Sequence, residues 1–94
     1  MATFIISYDI NKEGTGYAAA NKRLTDRIKE AFPTYWHHLD STWIVVTDLT
    51  AAQIRDDLMR YIDPNDEVLV VKSGGVGAWV GIKQSGSDWL KRHL

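Results

Sequence analysis

The sequence predicts an α+β fold in which four β-strands and two amphipathic helices follow one another in the order βαββαβ. Two stretches carry apolar side chains at helical spacing, and four shorter stretches are rich in β-branched and aromatic residues. Polar segments containing glycine or proline separate them. With 94 residues, the chain has room for one domain, residues 1–94, built on one core.

The first strand and the first helix are predicted from a change of period. Over 3–10 the chain is apolar and its side chains alternate between two faces, which is typical of a strand. Over 17–32 the apolar residues recur at the spacing of an amphipathic helix. Pro33 ends this helix, because a proline disfavours the α conformation at the residue before it.

A hairpin follows the first helix. The stretch 35–39 is aromatic and the stretch 42–47 is β-branched, so each predicts a short strand. Asp40 and Ser41 lie between them and predict the turn.

The last part of the chain predicts a helix, a strand and two short elements. Thr50 followed by Gln53 is a capping-box pattern, so a second helix begins there. The β-branched stretch 67–72 predicts the fourth strand. A short fifth strand is predicted over 78–82, and Ser87 is expected to cap a C-terminal helical turn.

This order of elements is that of the ferredoxin-like, split-βαβ sandwich. Two right-handed crossovers interleave to give an antiparallel sheet of order 4-1-3-2 with both helices on one face. Three of the strands are apolar on both faces, so the second face should also be covered. The rest of the chain is too short to cover it, so we expect a homodimer with stacked sheets.

Composition narrows the functional classes. The chain has no cysteine, which excludes disulfides, thiolate metal sites and a cysteine nucleophile. Its formal charge of −1 argues against wholesale coating of nucleic acid by a positive field. No apolar run approaches the roughly 18–20 residues of a membrane span, and no basic leader precedes the first strand. We therefore expect a cytoplasmic protein without a membrane partner.

The predicted topology gathers carboxylates at one edge of the sheet. Asp9 ends the first strand, Asp40 lies in the hairpin turn, and Asp66 and Glu67 lie at the start of the fourth strand. Asp9 is the candidate catalytic residue and metal ligand, since Mg²⁺ takes oxygen ligands and usually keeps several waters. The alternative is an aspartate that only ties down its loop by accepting hydrogen bonds from backbone amides.

Basic residues and histidines give weaker signals. Lys91 and Arg92 are the candidate nucleic-acid-binding residues, because an exposed C-terminus can reach a phosphate backbone. The basic residues of the first helix are interspersed with acidic ones, which is typical of a solvated face. His37 and His38 are adjacent on a strand and point to opposite faces, so they cannot both bind one ion unless the strand is bulged.

Three short segments resemble the CRISPR-associated adaptation protein family, whose members are small ferredoxin-like dimers often described as metal-dependent endoribonucleases. These segments are Ser7-Tyr8-Asp9-Ile10, Ser41 to Val45, and Ile62-Asp63-Pro64, and the order of elements matches over residues 3–82. The related virulence-associated protein D ribonucleases share the aspartate of the first strand. The resemblance implies a two-fold dimer in which the fifth strand reaches the partner's sheet. It also implies that Asp9 meets its symmetry mate to hold Mg²⁺.

Two functions follow as hypotheses. The first is a Mg²⁺-dependent endonuclease that acts on RNA or DNA as a homodimer, with Ser7 and Tyr8 shaping the site around Asp9. The second is a non-catalytic dimeric scaffold or interaction protein, because some members of the family only hold an integrase on duplex DNA. The protein partners implied are an integrase-like protein or an antitoxin. A small-ligand regulatory domain is a third reading, since fold alone does not choose a function.

Overall fold

A computed structural model of the chain describes residues 1–11 and 15–94. Its elements in chain order are β1 (Ala2–Asp9), α1 (Thr15–Ala31), β2 (Tyr35–Leu39), β3 (Thr42–Thr47), α2 (Ala51–Met59), β4 (Glu67–Lys72) and α3 (Gln84–His93). The predicted α+β class is confirmed. Residues 12–14 of the loop predicted after the first strand lie outside the described residues.

The four strands form one antiparallel sheet in the order β2-β3-β1-β4, which reads 4-1-3-2 from the β4 edge. β1 is central and pairs with β3 on one side and with β4 on the other. At the end of β1, Asp9 lies opposite Glu67. The arrangement is compatible with a ferredoxin-like sandwich.

Helices α1 and α2 cover one face of the sheet, which we call the helix face. Leu24, Ile28 and Phe32 lie four residues apart along α1 and its C-terminal end, so they form one apolar stripe that packs on the strands. The buried side chains of this core are Phe4, Ile6, Tyr8, Ile10, Leu24, Ile28, Phe32, Trp43, Val45, Ile54 and Leu58. The core therefore packs β1 and the neighbouring strands against the two helices.

The start of α2 follows the predicted capping box. Thr50 Oγ1 accepts a hydrogen bond from Gln53 N (3.1 Å), and Gln53 Oε1 accepts one from Thr50 N (2.9 Å). These two bonds satisfy amide groups that have no partner within the helix. A local sequence signal is therefore sufficient to fix this boundary.

Helix α3 covers part of the other side of the sheet, which we call the opposite face. Trp36 and Ile44 of the sheet are buried against Leu90 of α3. Trp36 Nε1 donates a hydrogen bond to Gly86 O (3.1 Å). The expectation that this chain cannot cover the opposite face by itself is therefore wrong for the half over β2 and β3. The second half, over β4, stays open.

The segment 78–82, predicted as a fifth strand, is irregular. Trp79 and Ile82 pack beside the α3 cluster, and Trp79 Nε1 donates a hydrogen bond to Ser87 Oγ (3.0 Å). Val80 is 93% exposed. The strand-like composition reflects apolar side chains that pack under a helix rather than on a pleated sheet.

The predicted C-terminal helical turn is a helix of ten residues, Gln84–His93. Its N-cap is Lys83, with no side-chain cap, so Ser87 lies inside the helix. Ile82, Gly86 and Leu90 recur every four residues, which places them on the face that meets the sheet. Packing on the sheet, rather than a capping signal, sets the length of this helix.

An ion-pair cluster joins α1 to α2. The Arg27 guanidinium forms a fork with the Asp57 carboxylate (Nη2 to Oδ2 2.8 Å, Nε to Oδ1 3.1 Å), and Arg60 Nη2 lies 2.9 Å from Oδ1. Hydrogen bonding from Arg27 holds the pKa of Asp57 below its ordinary value, although partial burial acts in the opposite direction. Both partners are largely shielded from solvent, so the pair should contribute measurably to stability.

We expect Asp57→Asn to lower the free energy of unfolding by about 1–2 kcal/mol at neutral pH. Because the folded-state pKa is lowered, the stabilisation is present above the unfolded pKa and is lost as the pH falls through the folded-state value. Urea denaturation should therefore show the two proteins converging as the pH falls below the ordinary pKa of an aspartate. Asp26→Asn, which breaks the exposed pair with Lys22, should change stability by less than about 0.5 kcal/mol. A pH-independent loss in Asp57→Asn would contradict this account.

Candidate functional site

The candidate site is the edge of the sheet where β1 ends and β4 begins. Asp9 and Glu67 are both exposed there and lie directly opposite each other. Directly opposite side chains of an antiparallel pair point to the same face, with Cβ atoms about 4.5–5.5 Å apart. Two carboxylates therefore share the opposite face at this edge. Like charges in this position repel each other, so a bound cation would stabilise them.

Two hydroxyl groups lie beside the carboxylates on the opposite face. Ser7 precedes Asp9 by two residues on β1, so their side chains point the same way. Ser7 Oγ is 3.1 Å from Thr42 Oγ1 of β3. The expected contribution of Ser7 to the surroundings of Asp9 therefore fits the strand geometry.

Tyr8 points to the helix face and does not line the same surface as Asp9. Its hydroxyl donates to Asp40 O (3.2 Å) and accepts from Trp43 Nε1 (3.2 Å). Burial raises the pKa of the Tyr8 hydroxyl, although the hydrogen bond from Trp43 opposes this rise. The expectation that Tyr8 shapes the site next to Asp9 is therefore wrong, because neighbouring strand residues face opposite ways.

The Asp66 carboxylate is buried and ties two loops together. Its Oδ1 accepts a hydrogen bond from Asn11 N (2.9 Å), and its Oδ2 accepts one from Asp63 N (2.9 Å). Asn65 Nδ2 adds a bond to Asn11 O (3.3 Å). Asp66 thus has the loop-anchoring role that was the alternative to metal binding for Asp9. It positions the chain that follows Asp9, and each of its two carboxylate oxygens accepts a hydrogen bond from a backbone amide.

The neighbouring histidines lie on opposite faces, in agreement with their adjacent positions on a strand. His37 stacks on Trp43, with ring centroids 3.8 Å apart, on the helix face. His38 lies 5.0 Å from Trp36 between ring centroids, on the opposite face. The two imidazole rings therefore do not point toward a common site.

The described residues of one chain do not form a complete metal site. Across residues 1–11 and 15–94, no group of three or more His, Cys, Asp or Glu side chains is arranged to hold an ion. The Asp40 side chain is exposed on the hairpin turn, and it is the Asp40 carbonyl that bonds to Tyr8. Among the residues that the structure describes, the carboxylates that face each other at this edge are Asp9 and Glu67.

Lys91 and Arg92 lie in the last turn of α3 and are exposed, so they belong to a helix rather than a tail. Thr3 Oγ1 donates to His93 O (2.6 Å), which places this turn beside the start of β1. A strand rises about 3.3 Å per residue, so Thr3 and Asp9 are roughly 20 Å apart. The structure therefore does not bring these basic residues together with Asp9.

Comparison with known proteins does not assign the chain to a family. No family model matches the sequence, and no curated protein matches it significantly. The resemblance to the CRISPR-associated adaptation family therefore rests on the three short segments and the order of elements. Within the described parts of the chain, no helix has the length and apolar character needed to cross a membrane.

Sequence reasoning missed two features of this region. The first is the pairing of Asp9 with Glu67, which requires the register of two strands far apart in the chain. The second is the anchoring role of Asp66. A signal for the latter was available: an acidic residue three positions after Asp63, across a proline turn, commonly accepts backbone hydrogen bonds.

Proposed function

We propose that the protein is a Mg²⁺-dependent endonuclease of ferredoxin-like fold that acts on RNA or DNA as a homodimer, with Asp9 as its metal ligand. The observation that carries the proposal is the register of β1 and β4, which sets Glu67 opposite Asp9 on an exposed edge. Mg²⁺ prefers oxygen ligands and is often held by one or two carboxylates together with waters. The pair therefore fits the chemistry of this ion.

The surroundings of Asp9 suit a phosphodiester substrate. Bound Mg²⁺ would supply a more acidic water and offset the charge that grows on the phosphate. The hydroxyls of Ser7 and Thr42 lie on the same face and can donate hydrogen bonds to phosphate oxygens. Lys91 and Arg92 lie in the helical turn beside Thr3, at the far end of β1 from Asp9, where they would contact the phosphate backbone away from the site of cleavage.

Glu67 allows each chain to hold its own ion. The resemblance implies two Asp9 carboxylates that meet at a two-fold axis. In the structure a second carboxylate comes from the same chain, because Glu67 lies opposite Asp9. We therefore place the metal between Asp9 and Glu67 of one protomer.

A second candidate is a non-catalytic scaffold that binds an integrase-like protein or an antitoxin. The observation that favours it is the lack of a third metal-ligating group near Asp9 in the described residues. In that case, the two carboxylates serve only as solvated charges at a strand end.

Replacement of Asp9 by asparagine tests the nuclease. We expect Asp9→Asn to weaken Mn²⁺ binding, measured by electron paramagnetic resonance, by about tenfold or more, because one of two charged ligands is lost. Cleavage of labelled RNA or duplex DNA should require Mg²⁺, stop with EDTA and be absent in Asp9→Asn.

Asp48→Asn is the matched control, because Asp48 is exposed and pairs with the N-terminal amine at the other end of the sheet (3.4 Å). It should bind Mn²⁺ and cut as the wild type does. If the wild type binds no metal and cuts neither substrate, the scaffold stands. Equal cutting by wild type and Asp9→Asn would remove Asp9 from the mechanism.

A further inference from the structure

The two edges of the sheet are protected differently. At the β2 edge, the pairing with β3 is irregular between Trp36 and Leu39. Such bulges interrupt an edge and discourage further pairing. At the β4 edge, six residues pair with β1 in continuous register, and none of them is proline or glycine. An uninterrupted, largely apolar edge of this kind is a template for another strand.

The backbone groups that face outward from β4 follow from one hydrogen bond. Ser73 N donates to Thr3 O (2.8 Å), so these two residues form a hydrogen-bonded pair of the antiparallel ladder. Hydrogen-bonded pairs alternate along such a ladder, so the odd-numbered residues of β4 bond to β1. The residues whose N–H and C=O groups face away from the sheet are Val68, Val70 and Lys72.

Apolar side chains are exposed along the same strand. Leu69 is 60% exposed and Val71 is 41% exposed, and both lie on the opposite face. The cluster beneath α3 includes no residue of β4, so that helix leaves this half of the face open. Both the backbone and the side chains of β4 are therefore available to a partner.

We propose that β4 pairs with β4 of a second copy of the chain, in antiparallel orientation about a two-fold axis through Val70. The two four-stranded sheets then form one continuous sheet. Val70 pairs with the partner's Val70, and Val68 pairs with the partner's Lys72, so all outward backbone groups are satisfied. On the opposite face, Leu69 meets the partner's Val71 in a non-hydrogen-bonded pair, where side chains approach most closely.

Charge favours the antiparallel orientation. Glu67 and Lys72 lie at the two ends of β4, so antiparallel pairing keeps each of them away from its own copy. Parallel pairing in register would set Glu67 beside Glu67 and Lys72 beside Lys72, and like charges in such positions repel each other.

A second segment of the chain, 78–82, is the competing occupant, since the sequence predicts a strand there. Its Trp79 and Ile82 already pack against α3, and Trp79 is also bonded to Ser87. Pairing with a partner's β4 would break these contacts. Self-pairing of β4 breaks none.

This inference does not depend on the proposed nuclease. Antiparallel β4 pairing puts the two Asp9 residues at opposite ends of the joined strands, so each keeps its own Glu67. One pair of short strands buries less than a standard interface, so the dimer should dissociate on dilution.

Single-cysteine variants test the register, because the natural chain contains no cysteine. Under mild oxidation, a mixture of Leu69→Cys and Val71→Cys proteins should form a disulfide-linked heterodimer several-fold more efficiently than either variant alone. Efficient cross-linking of Leu69→Cys by itself would instead place the axis at Leu69. That outcome would overturn the proposed register.

Sedimentation over a concentration series tests the interface itself, with neither metal nor nucleic acid present. Leu69→Lys should weaken the dimer by roughly tenfold or more, because it places a charge against the partner's Val71. Val80→Lys is the matched control, since Val80 is 93% exposed and lies outside β4. It should dimerise as the wild type does, and circular dichroism should show both variants folded. A wild type that stays monomeric would overturn the proposal, as would loss of the dimer in Val80→Lys but not in Leu69→Lys. Capture of another protein's peptide at the β4 edge, with no dimer, would also overturn it.

Discussion

Replacement of Asp66 by alanine is expected to lower the free energy of unfolding by roughly 3 kcal/mol. The carboxylate is only 9% exposed, and its two oxygens accept hydrogen bonds from Asn11 N and Asp63 N. Bonds to a charged group each contribute about 1.5–3 kcal/mol, and alanine would leave both amides without their acceptor. Urea denaturation followed by circular dichroism would measure the loss.

The same change should loosen the chain around Asp9. Asn11 follows Asp9 by two residues, and Asp66 holds its amide in place. Hydrogen exchange at Asn11 N and Asp63 N should therefore accelerate in Asp66→Ala. Metal affinity should fall although Asp66 is not itself a ligand, because it positions the strand end.

Two variants make the Asp66 prediction specific. Asp66→Asn keeps one oxygen acceptor and turns an N–H group toward the other amide, so its stability should lie between those of wild type and Asp66→Ala. Asp56→Ala removes an exposed carboxylate that pairs with its neighbour Arg55, and it should change stability by less than about 0.5 kcal/mol. Equal stability of Asp66→Ala and Asp56→Ala would show that Asp66 does not anchor the loops.

Elements fixed by local signals could be predicted from the sequence. The second, third and fourth strands end where their β-branched and aromatic stretches end, and α2 begins at the capping box of Thr50 and Gln53. Each of these signals lies within a few residues of the boundary that it sets. The sequential order of the elements then limits the topology, because crossovers are right-handed and connections are short.

The packing of α3 on the opposite face could not be predicted from local sequence signals. Gly86 lies in the middle of the face that α3 presents to the sheet, and a glycine ordinarily indicates a turn rather than a packed helix. Trp79 and Ile82 look like strand residues until their contacts with α3 are known. Tertiary packing, which the local sequence does not reveal, decides the structure of this region.

The candidate site also combines a feature that the local sequence predicts with features that depend on tertiary packing. The position of Asp9 at a sheet edge follows from the end of one strand and the predicted topology. Its pairing with Glu67 depends on a register set by residues more than fifty positions apart, through the packing of both strands on one core. The role of Asp66 depends on two backbone amides in separate loops, which no side-chain pattern identifies.

The close approach of α3 to the sheet makes Gly86→Val the second change with a large expected effect. A Cβ atom at this position would lie 2.9 Å from His38 Nε2 and 2.9 Å from Ile82 Cγ2. The exposed His38 ring can turn away, but the β-branched Ile82 has little freedom at its Cγ2. Overpacking costs about 1–3 kcal/mol, and the gain in helix propensity over glycine is below about 1 kcal/mol for valine. We therefore expect a net loss of about 2 kcal/mol and partial detachment of α3.

Tryptophan emission reports this detachment, because Trp36, Trp79 and Trp89 belong to the α3 cluster whereas Trp43 lies in the main core. Emission of Gly86→Val should shift to longer wavelength under conditions in which the strands remain folded by circular dichroism. Gly74→Val is the matched control, since a Cβ at Gly74 has no heavy atom within 4 Å, and its emission should not change. Unaltered emission and stability in Gly86→Val would contradict close packing of α3 on the sheet.

Detachment of α3 also distinguishes between two modes of dimerisation, pairing of β4 strands and stacking of sheets. Loss of the helix exposes Trp36 and Ile44 on the opposite face but leaves the β4 edge unchanged. If β4 pairing holds the dimer, Gly86→Val should dissociate at the same concentration as the wild type, and Leu69→Lys should still weaken it. If the sheets stack instead, uncovering this face should strengthen the dimer, and Leu69→Lys should matter less. Because α3 occupies the face on which a second subunit was expected, its detachment tests where that subunit binds.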